Sequence, residues 1–193
     1  MGTDRQDQVL DQPTTCRPSN CRCCAKWCSR GRETITRNVK RVRDGVWPDN
    51  VSVLSPVSAS FRGTVTIPPG LIPSDVPKPH ETATMERLAA LGFDVDFNRV
   101  SHADGVKNPD VTMEMKTWEL KSPLGNSPNT IGHQLARISE QADRGVIDLA
   151  RTPLDEREVV DEVSRRVKGG TRLCEVIVVF RDGTGVRVAR PVK

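Results

Sequence analysis

Prolines between residues 48 and 79 constrain the fold of this chain more than any other feature. Seven of the 14 prolines fall in this short stretch of the 193 residues. Proline fixes φ and removes a backbone donor, so long helices and central strands are disfavoured there. We therefore predict a linker over residues 48–79, in which residues 60–67 have the alternation of an edge strand. Regular structure is expected in residues 80–193, and residues 1–47 form a separate N-terminal arm.

The N-terminal arm carries the positive charge of the chain. Between Cys16 and Arg43, nine Lys or Arg residues stand against one acid, whereas the whole chain has a formal net charge of +4. The rest of the chain is therefore acidic in sum, and an argument from charge to nucleic acid applies first to the arm. Two interpretations remain open: the arm grips a phosphate backbone, or it is a solvated tail.

Five of the six cysteines also lie in the arm, and their spacing differs from the paired C-x2-C of common zinc ribbons. A structural zinc bound by four of them and a reducible segment without metal are both compatible with this spacing. The four candidate zinc ligands are Cys16, Cys21, Cys24 and Cys28. No secretory signal or membrane-spanning stretch is recognisable, which favours a cytoplasmic site of action and leaves export without a cleaved signal open.

Residues 80–193 alternate helical and strand patterns, as α/β domains do. The predicted elements are a helix over 81–91, strands over 93–97, 110–115 and 116–120, a helix over 131–144, a strand over 145–149, a helix over 154–168, a strand over 174–180 and a last strand through 186–188. Glu114-Met115 is a poor turn dipeptide, so the register of the second and third strands stays open. We predict a mixed sheet flanked by helices, with the apolar run 174–180 as a central strand.

Three side chains of the predicted hairpin form a candidate catalytic group. Glu119 and Lys121 are two residues apart in a strand, so they face the same side of the sheet, and an antiparallel neighbour would place Asp110 beside them. Converging carboxylates repel each other, and Mg²⁺ or Mn²⁺ relieves that repulsion. Such a site can activate water against a phosphodiester. The residues match the PD-(D/E)xK nuclease motif, although the same residue types also occur on a solvated strand face with salt bridges and no catalytic role.

Short strings around this motif extend the pattern over most of residues 80–188. They are, in order, HETA at 80–83, LA at 88–89, GFDV at 92–95, NPD at 108–110, WELKSP at 118–123, NTI at 129–131, QA at 141–142, VIDL at 146–149 and RT at 151–152. Together they resemble the C-terminal tRNA nuclease domain of contact-dependent growth inhibition toxins of the CdiA type. The resemblance implies a PD-(D/E)xK fold, a metal-dependent ribonuclease activity on tRNA, and an immunity protein as partner.

Carried over residue by residue, the resemblance assigns roles within the candidate site. Glu81 becomes the acid on the first helix and a third metal ligand, with Glu86 as its competitor. Asp110 and Glu119 become the main metal ligands, and Lys121 lies beside the attacking water. Further residues are expected to contact substrate or to hold a nearby loop: Asn129, Gln141 and Arg151.

Two other functions compete with a tRNA nuclease. A DNA endonuclease of restriction or repair type would use the same metal site. A non-enzymatic nucleic-acid-binding protein would bind through the arm and keep an inert nuclease-like domain. The sequence has no phosphate loop, dinucleotide fingerprint or nucleophile elbow, so enzyme classes that depend on those motifs are disfavoured.

Overall fold

The computed structural model describes residues 46–127, 129–170 and 172–191. Residues 1–45 of the arm, with the candidate zinc ligands Cys16, Cys21, Cys24 and Cys28, lie outside the described residues. The strands are β1 (Val51–Leu54), β2 (Val65–Thr66), β3 (Val95–Phe97), β4 (Val111–Met113), β5 (Lys116–Lys121), β6 (Arg144–Asp148), β7 (Glu175–Val179) and β8 (Gly185–Ala189). The helices are α1 (Pro79–Ala90), α2 (Thr130–Gln141) and α3 (Glu156–Lys168). None of the helices in these ranges is long and apolar enough to cross a membrane.

The strands form one eight-stranded sheet in the order β1-β8-β7-β6-β5-β4-β3-β2. Strands β5, β6 and β7 are parallel and occupy the centre, and β2 also runs parallel to β3. The remaining pairs are antiparallel. The predicted α/β class with a mixed sheet is confirmed, and so is the central position of the apolar run that forms β7.

Helices cover both faces of the sheet. Met85 and Leu88 of α1 pack with Trp118, Val146 and Ile177 on one face. The opposite face carries α2 and α3, whose buried side chains pack against the alternate residues of the same strands. These are Ile131, Leu135, Ile138, Val160 and Val163 against Ile147, Val176 and Val178. The alternation along β6 and β7 therefore divides the core into two layers.

The β4–β5 hairpin is confirmed in spite of its unusual turn. Glu114 and Met115 both have positive φ, 51° and 59°, as a two-residue turn of the right twist requires. Burial on both strands fixes the register, with Val111 opposite Trp118. The Trp118 indole Nε1 also donates a hydrogen bond to the Met113 carbonyl at 3.2 Å. Packing has overridden the poor turn propensity of this dipeptide.

The predicted boundaries of α2 and α3 need correction. Helix α2 ends at Gln141, and Arg144, expected at its last position, begins β6. A Cβ built on Gly145 would lie 2.5 Å from Ile138 Cγ2, so there is no room for a side chain where β6 passes beneath the helix. The helix predicted over 154–168 starts at Glu156, because the Asp155 side chain caps its first amide groups.

Residues 48–79, predicted as a linker, supply both edges of the sheet. β1 pairs with β8, and β2 pairs with β3. The Trp47 ring stacks on Phe180 with centroids 6.1 Å apart. The segment is therefore part of the fold and not a spacer before it, while the edge strand expected within residues 60–67 is confirmed as Val65–Thr66.

Candidate active site

The β4–β5 hairpin brings two of the predicted carboxylates to neighbouring positions. Asp110 directly precedes β4, and the register that pairs Val111 with Trp118 continues to place Asp110 beside Glu119. The Asp110 Oδ2 accepts a hydrogen bond from the backbone N–H of Leu120 at 2.6 Å. This bond fixes the carboxylate of Asp110 against β5.

Glu119 and Lys121 face the same side of β5, as their spacing predicts. Lys121 Nζ lies 2.5 Å from Glu119 Oε1, and the Glu119 side chain is almost fully buried. The second oxygen, Glu119 Oε2, is buried and has no hydrogen-bond partner among the described residues. Glu119 Oε1 therefore accepts a hydrogen bond from Lys121, whereas Oε2 has no donor among the described residues.

The surroundings of these carboxylates disfavour their ionised forms. Burial, and then the nearby charge of Asp110, raise the pKa of Glu119 to about 7, against the lowering effect of Lys121. Burial also raises the pKa of Asp110, although the hydrogen bond from Leu120 and the charge of Lys121 oppose it. Ionising Asp110 and Glu119 together is therefore costly. A bound cation would reduce this cost, because its positive charge stabilises both carboxylates.

Glu81 lies in the first turn of α1, and its negative charge contributes to the raised pKa of both Asp110 and Glu119. Its own carboxylate, however, is occupied by the start of the helix. Glu81 Oε2 accepts the backbone N–H of Lys78 at 2.8 Å, and Oε1 lies 3.8 Å from Lys78 Nζ. The competitor Glu86 is exposed one and a half turns further on.

Within the described ranges, no three His, Cys, Asp or Glu side chains are gathered closely enough to hold a metal ion. Asp110 and Glu119 are thus a pair of carboxylates, and Glu81 stands near them as a third negative charge without joining a three-ligand cluster. A pair is compatible with Mg²⁺, which keeps several waters and commonly uses one or two carboxylates together with substrate phosphates.

The predicted substrate-contacting residues lie in three different places. Gln141 Oε1 accepts the backbone N–H of Asn108 at 3.2 Å, so Gln141 holds the loop that leads into Asp110. Asn129 precedes α2 at the opposite end of that helix. Arg151 is exposed at the end of a short 3₁₀ helix, Leu149–Arg151. The structure therefore connects Gln141, but neither Asn129 nor Arg151, with the loop of the candidate catalytic group.

A buried polar cluster behind the site was missed from the sequence. Asp148 at the end of β6 is 1% exposed, and its Oδ2 accepts a hydrogen bond from Thr84 Oγ1 at 2.9 Å. Arg87 Nε lies 3.3 Å from Asp148 Oδ1, and Arg87 also donates to the Phe180 carbonyl. The cluster ties α1, which carries Glu81, to the ends of β6 and β7. Its sequence signal was one acid in the apolar string VIDL.

The fold and the site define a mixed α/β domain with a paired-carboxylate and lysine group on a central hairpin. The family model described as the contact-dependent growth inhibition CdiA C-terminal domain matches residues 107–184. This segment is less than half of the chain; it contains Asp110, Glu119, Lys121 and Gln141, and Glu81 lies outside it.

Among solved structures, one chain of a CdiA-CT/CdiI toxin and immunity complex from Burkholderia pseudomallei is similar to this chain. The two are 21% identical with a TM-score of 0.49, and the similarity covers 66% of this chain and 99% of the other. No curated protein matches the chain.

Proposed function

We propose that this protein is a toxin-type, metal-dependent nuclease that hydrolyses RNA phosphodiester bonds, with tRNA as its substrate. The observation that carries the proposal is the contact of Lys121 with Glu119 at 2.5 Å, next to Asp110. The match of residues 107–184 to the CdiA C-terminal domain supports it, because these three residues all lie in that segment. The PD-(D/E)xK architecture is part of the same proposal.

Asp110 and Glu119 are the residues that would hold Mg²⁺ or Mn²⁺. Carboxylate oxygens are the ligands these hard cations prefer, and the buried Glu119 Oε2 has no donor of its own among the described residues. Glu81 adds negative charge near the pair and is the third proposed ligand; to bind the cation it would exchange its hydrogen bond with the Lys78 backbone N–H for the metal. A bound divalent cation supplies charge stabilisation for phosphoryl oxygens and lowers the pKa of a bound water.

The other residues of the site position the reacting groups. Lys121 is held by Glu119 Oε1, so its ammonium lies where it can orient the attacking water and balance charge that develops on the phosphate. Leu120 N–H fixes the Asp110 carboxylate, and Gln141 fixes the Asn108 end of the same loop. Hydrolysis then depends on an arrangement that exists before substrate binds.

The toxin assignment also implies where the protein acts and with what. Cytoplasmic RNA of a target cell is the substrate pool, and an immunity protein of the producing cell is the expected partner. A DNA endonuclease stays the second candidate, because the same metal site serves both polymers. A non-enzymatic nucleic-acid-binding protein is the third.

The experiment incubates the full chain with total tRNA or with duplex DNA, in Mg²⁺ or in chelator. We expect cleavage of tRNA in Mg²⁺ only, and a loss of at least about 100-fold in rate for Glu119→Ala and Lys121→Ala. Asp161→Ala, which removes an exposed acid of α3, is the matched control and should cleave like the wild type. If the two site variants cleave as fast as the wild type, the assignment is wrong. Cleavage of DNA alone would select the second candidate, and binding without turnover would select the third.

A further inference from the structure

A second polar feature lies between helices α2 and α3, apart from the catalytic carboxylates. It is an open pocket of about 560 Å³, here called the α2–α3 groove. Helix α2 and the residue before it contribute Asn129, Gly132, His133 and Ala136, and α3 contributes Glu162, Arg165 and Arg166. Both sets have the spacing of three and four residues that places side chains on one helix face.

Two guanidinium groups share a single carboxylate in this groove. Arg165 donates to Glu162 Oε1 at 2.7 Å through Nη2 and to Oε2 at 2.9 Å through Nε. Arg166 Nε donates to Glu162 Oε1 at 3.0 Å. The three side chains therefore have a formal net charge of +1, and Glu162 keeps both guanidinium groups beside the groove.

Gly132 keeps space open beside one of these arginines. A Cβ built on Gly132 would lie 3.2 Å from Arg166 Nη2 and 3.8 Å from Glu162 Oε1. Glycine weakens a helix relative to alanine because it loses more backbone entropy on folding. A glycine in the first turn of α2 thus lets the Arg166 guanidinium lie close against this helix, at the expense of helix stability.

We propose that the α2–α3 groove binds a backbone phosphate of the nucleic acid whose cleavage is proposed above, and the inference rests on that proposed function. Guanidinium groups bind phosphate through paired N–H donors, and their fixed geometry suits a repeating anionic backbone. His133 and Asn129 add further hydrogen-bond donors at the same groove. The sequence predicts that Asn129 contacts the substrate. In this proposal it does so at the groove and not at the catalytic group.

The distance between groove and site is suitable for one nucleic acid strand. Asn129 is twelve residues before Gln141, which holds the catalytic loop, so the two ends of α2 are about 18 Å apart at 1.5 Å per residue. Phosphates of one strand in B-form DNA advance about 3.4 Å along the axis per nucleotide, and the advance is smaller in the A-form stems of RNA. A strand segment of several nucleotides would therefore reach both places.

The test measures binding of tRNA to the full chain in chelator, over a series of salt concentrations. Arg165→Gln and Arg166→Gln should each weaken binding about 5- to 10-fold and lower the slope of log K against log salt by about 1. Glu162→Gln removes the competing negative charge but keeps an acceptor oxygen for both arginines, so it should tighten binding several-fold. Arg157→Gln is the control, because Arg157 lies on the same helix, has a comparable ion pair with Asp161 at 3.2 Å, and is not part of the groove lining.

Gly132→Ala separates binding from folding. The added methyl group should raise the melting temperature and yet weaken tRNA binding, which loss of structure would not explain. Arginine variants that bind tRNA like the wild type, with an unchanged salt slope, would overturn the proposal, and so would weaker binding by Glu162→Gln. In that case the groove contains surface ion pairs only.

Failure of the groove and failure of the nuclease assignment can be told apart. A small diester such as bis(p-nitrophenyl) phosphate is too short to reach from the site to the groove. Its hydrolysis in Mn²⁺ should be unchanged in the Arg165 and Arg166 variants and lost in Glu119→Gln. Hydrolysis by the wild type combined with normal tRNA binding by the arginine variants would reject the groove alone. Absence of any hydrolysis by the wild type, with weaker tRNA binding by the arginine variants, would reject the nuclease assignment alone.

Discussion

Replacing Glu119 by glutamine should make the metal-free protein more stable at alkaline pH. The pKa of Glu119 is raised to about 7 in the folded protein, against an ordinary value of 4.5. At about 1.4 kcal/mol for each pH unit, this difference corresponds to about 3 kcal/mol of unfavourable ionisation. Solvent at the mouth of the site screens part of it, so we expect about 1–3 kcal/mol.

The direction of the pH effect follows from the raised pKa of Glu119. Below pH 4.5 the carboxyl is protonated in both folded and unfolded chains, and its full contribution to stability is present. As the pH rises towards and through 7, the unfolded chain ionises freely and the folded one does so at a penalty, so the free energy of unfolding falls. Asp110, whose pKa is also raised, acts in the same direction.

Urea denaturation in chelator at pH 5 and at pH 8.5 measures this effect. Glu119→Gln should match the wild type within about 0.5 kcal/mol at pH 5 and exceed it by about 1–3 kcal/mol at pH 8.5. The exposed Glu86→Gln is the control and should show no difference at either pH. If Glu119→Gln is less stable than the wild type at pH 8.5, or if its free energy of unfolding depends on pH as that of the wild type does, ionisation of Glu119 does not destabilise the fold.

Two further predictions concern the frame around the site. Asp148→Asn should lower the free energy of unfolding by about 2–4 kcal/mol in urea denaturation, because it leaves the half-buried Arg87 without its counter-charge. The exposed Asp161→Asn should change the free energy of unfolding by less than about 0.5 kcal/mol, and equal effects of the two variants would contradict this prediction. Met115→Gly should raise the free energy of unfolding by up to about 1 kcal/mol, since Met115 is 98% exposed and has φ of 59°; a lower melting temperature would show that the turn is not strained.

Local patterns in the sequence were sufficient for much of the fold. The apolar run around Ile177 predicts the buried central strand, and the spacing of Glu119 and Lys121 predicts their common face, because both signals depend on the two-residue period of a strand. The hairpin register could not be settled from its turn dipeptide. Burial of Trp118 opposite Val111, which depends on the helix above them, determines it.

The features of the structure that could not be predicted from the sequence depend on contacts between distant parts of the chain. Val51 pairs with Val188 across almost the whole described chain, and a four-residue strand in a proline-rich segment has no local signal for such a partner. The bond from Thr84 to Asp148 likewise joins residues 64 positions apart. The arginines of α3 and the glycine of α2 are visible in the sequence, but their meeting in one groove depends on how the two helices pack.

We propose that Asp110 and Glu119, with Lys121, form the site of a metal-dependent hydrolysis of RNA. This proposal is tested by the single-turnover rate of tRNA cleavage by the full chain as Mg²⁺ is titrated, for the wild type and for Asp110→Asn. We expect a rate that saturates with Mg²⁺, vanishes in chelator, and falls at least about 100-fold in the variant. A rate that is independent of Mg²⁺, or equal in the two proteins, would show that these residues are not the site.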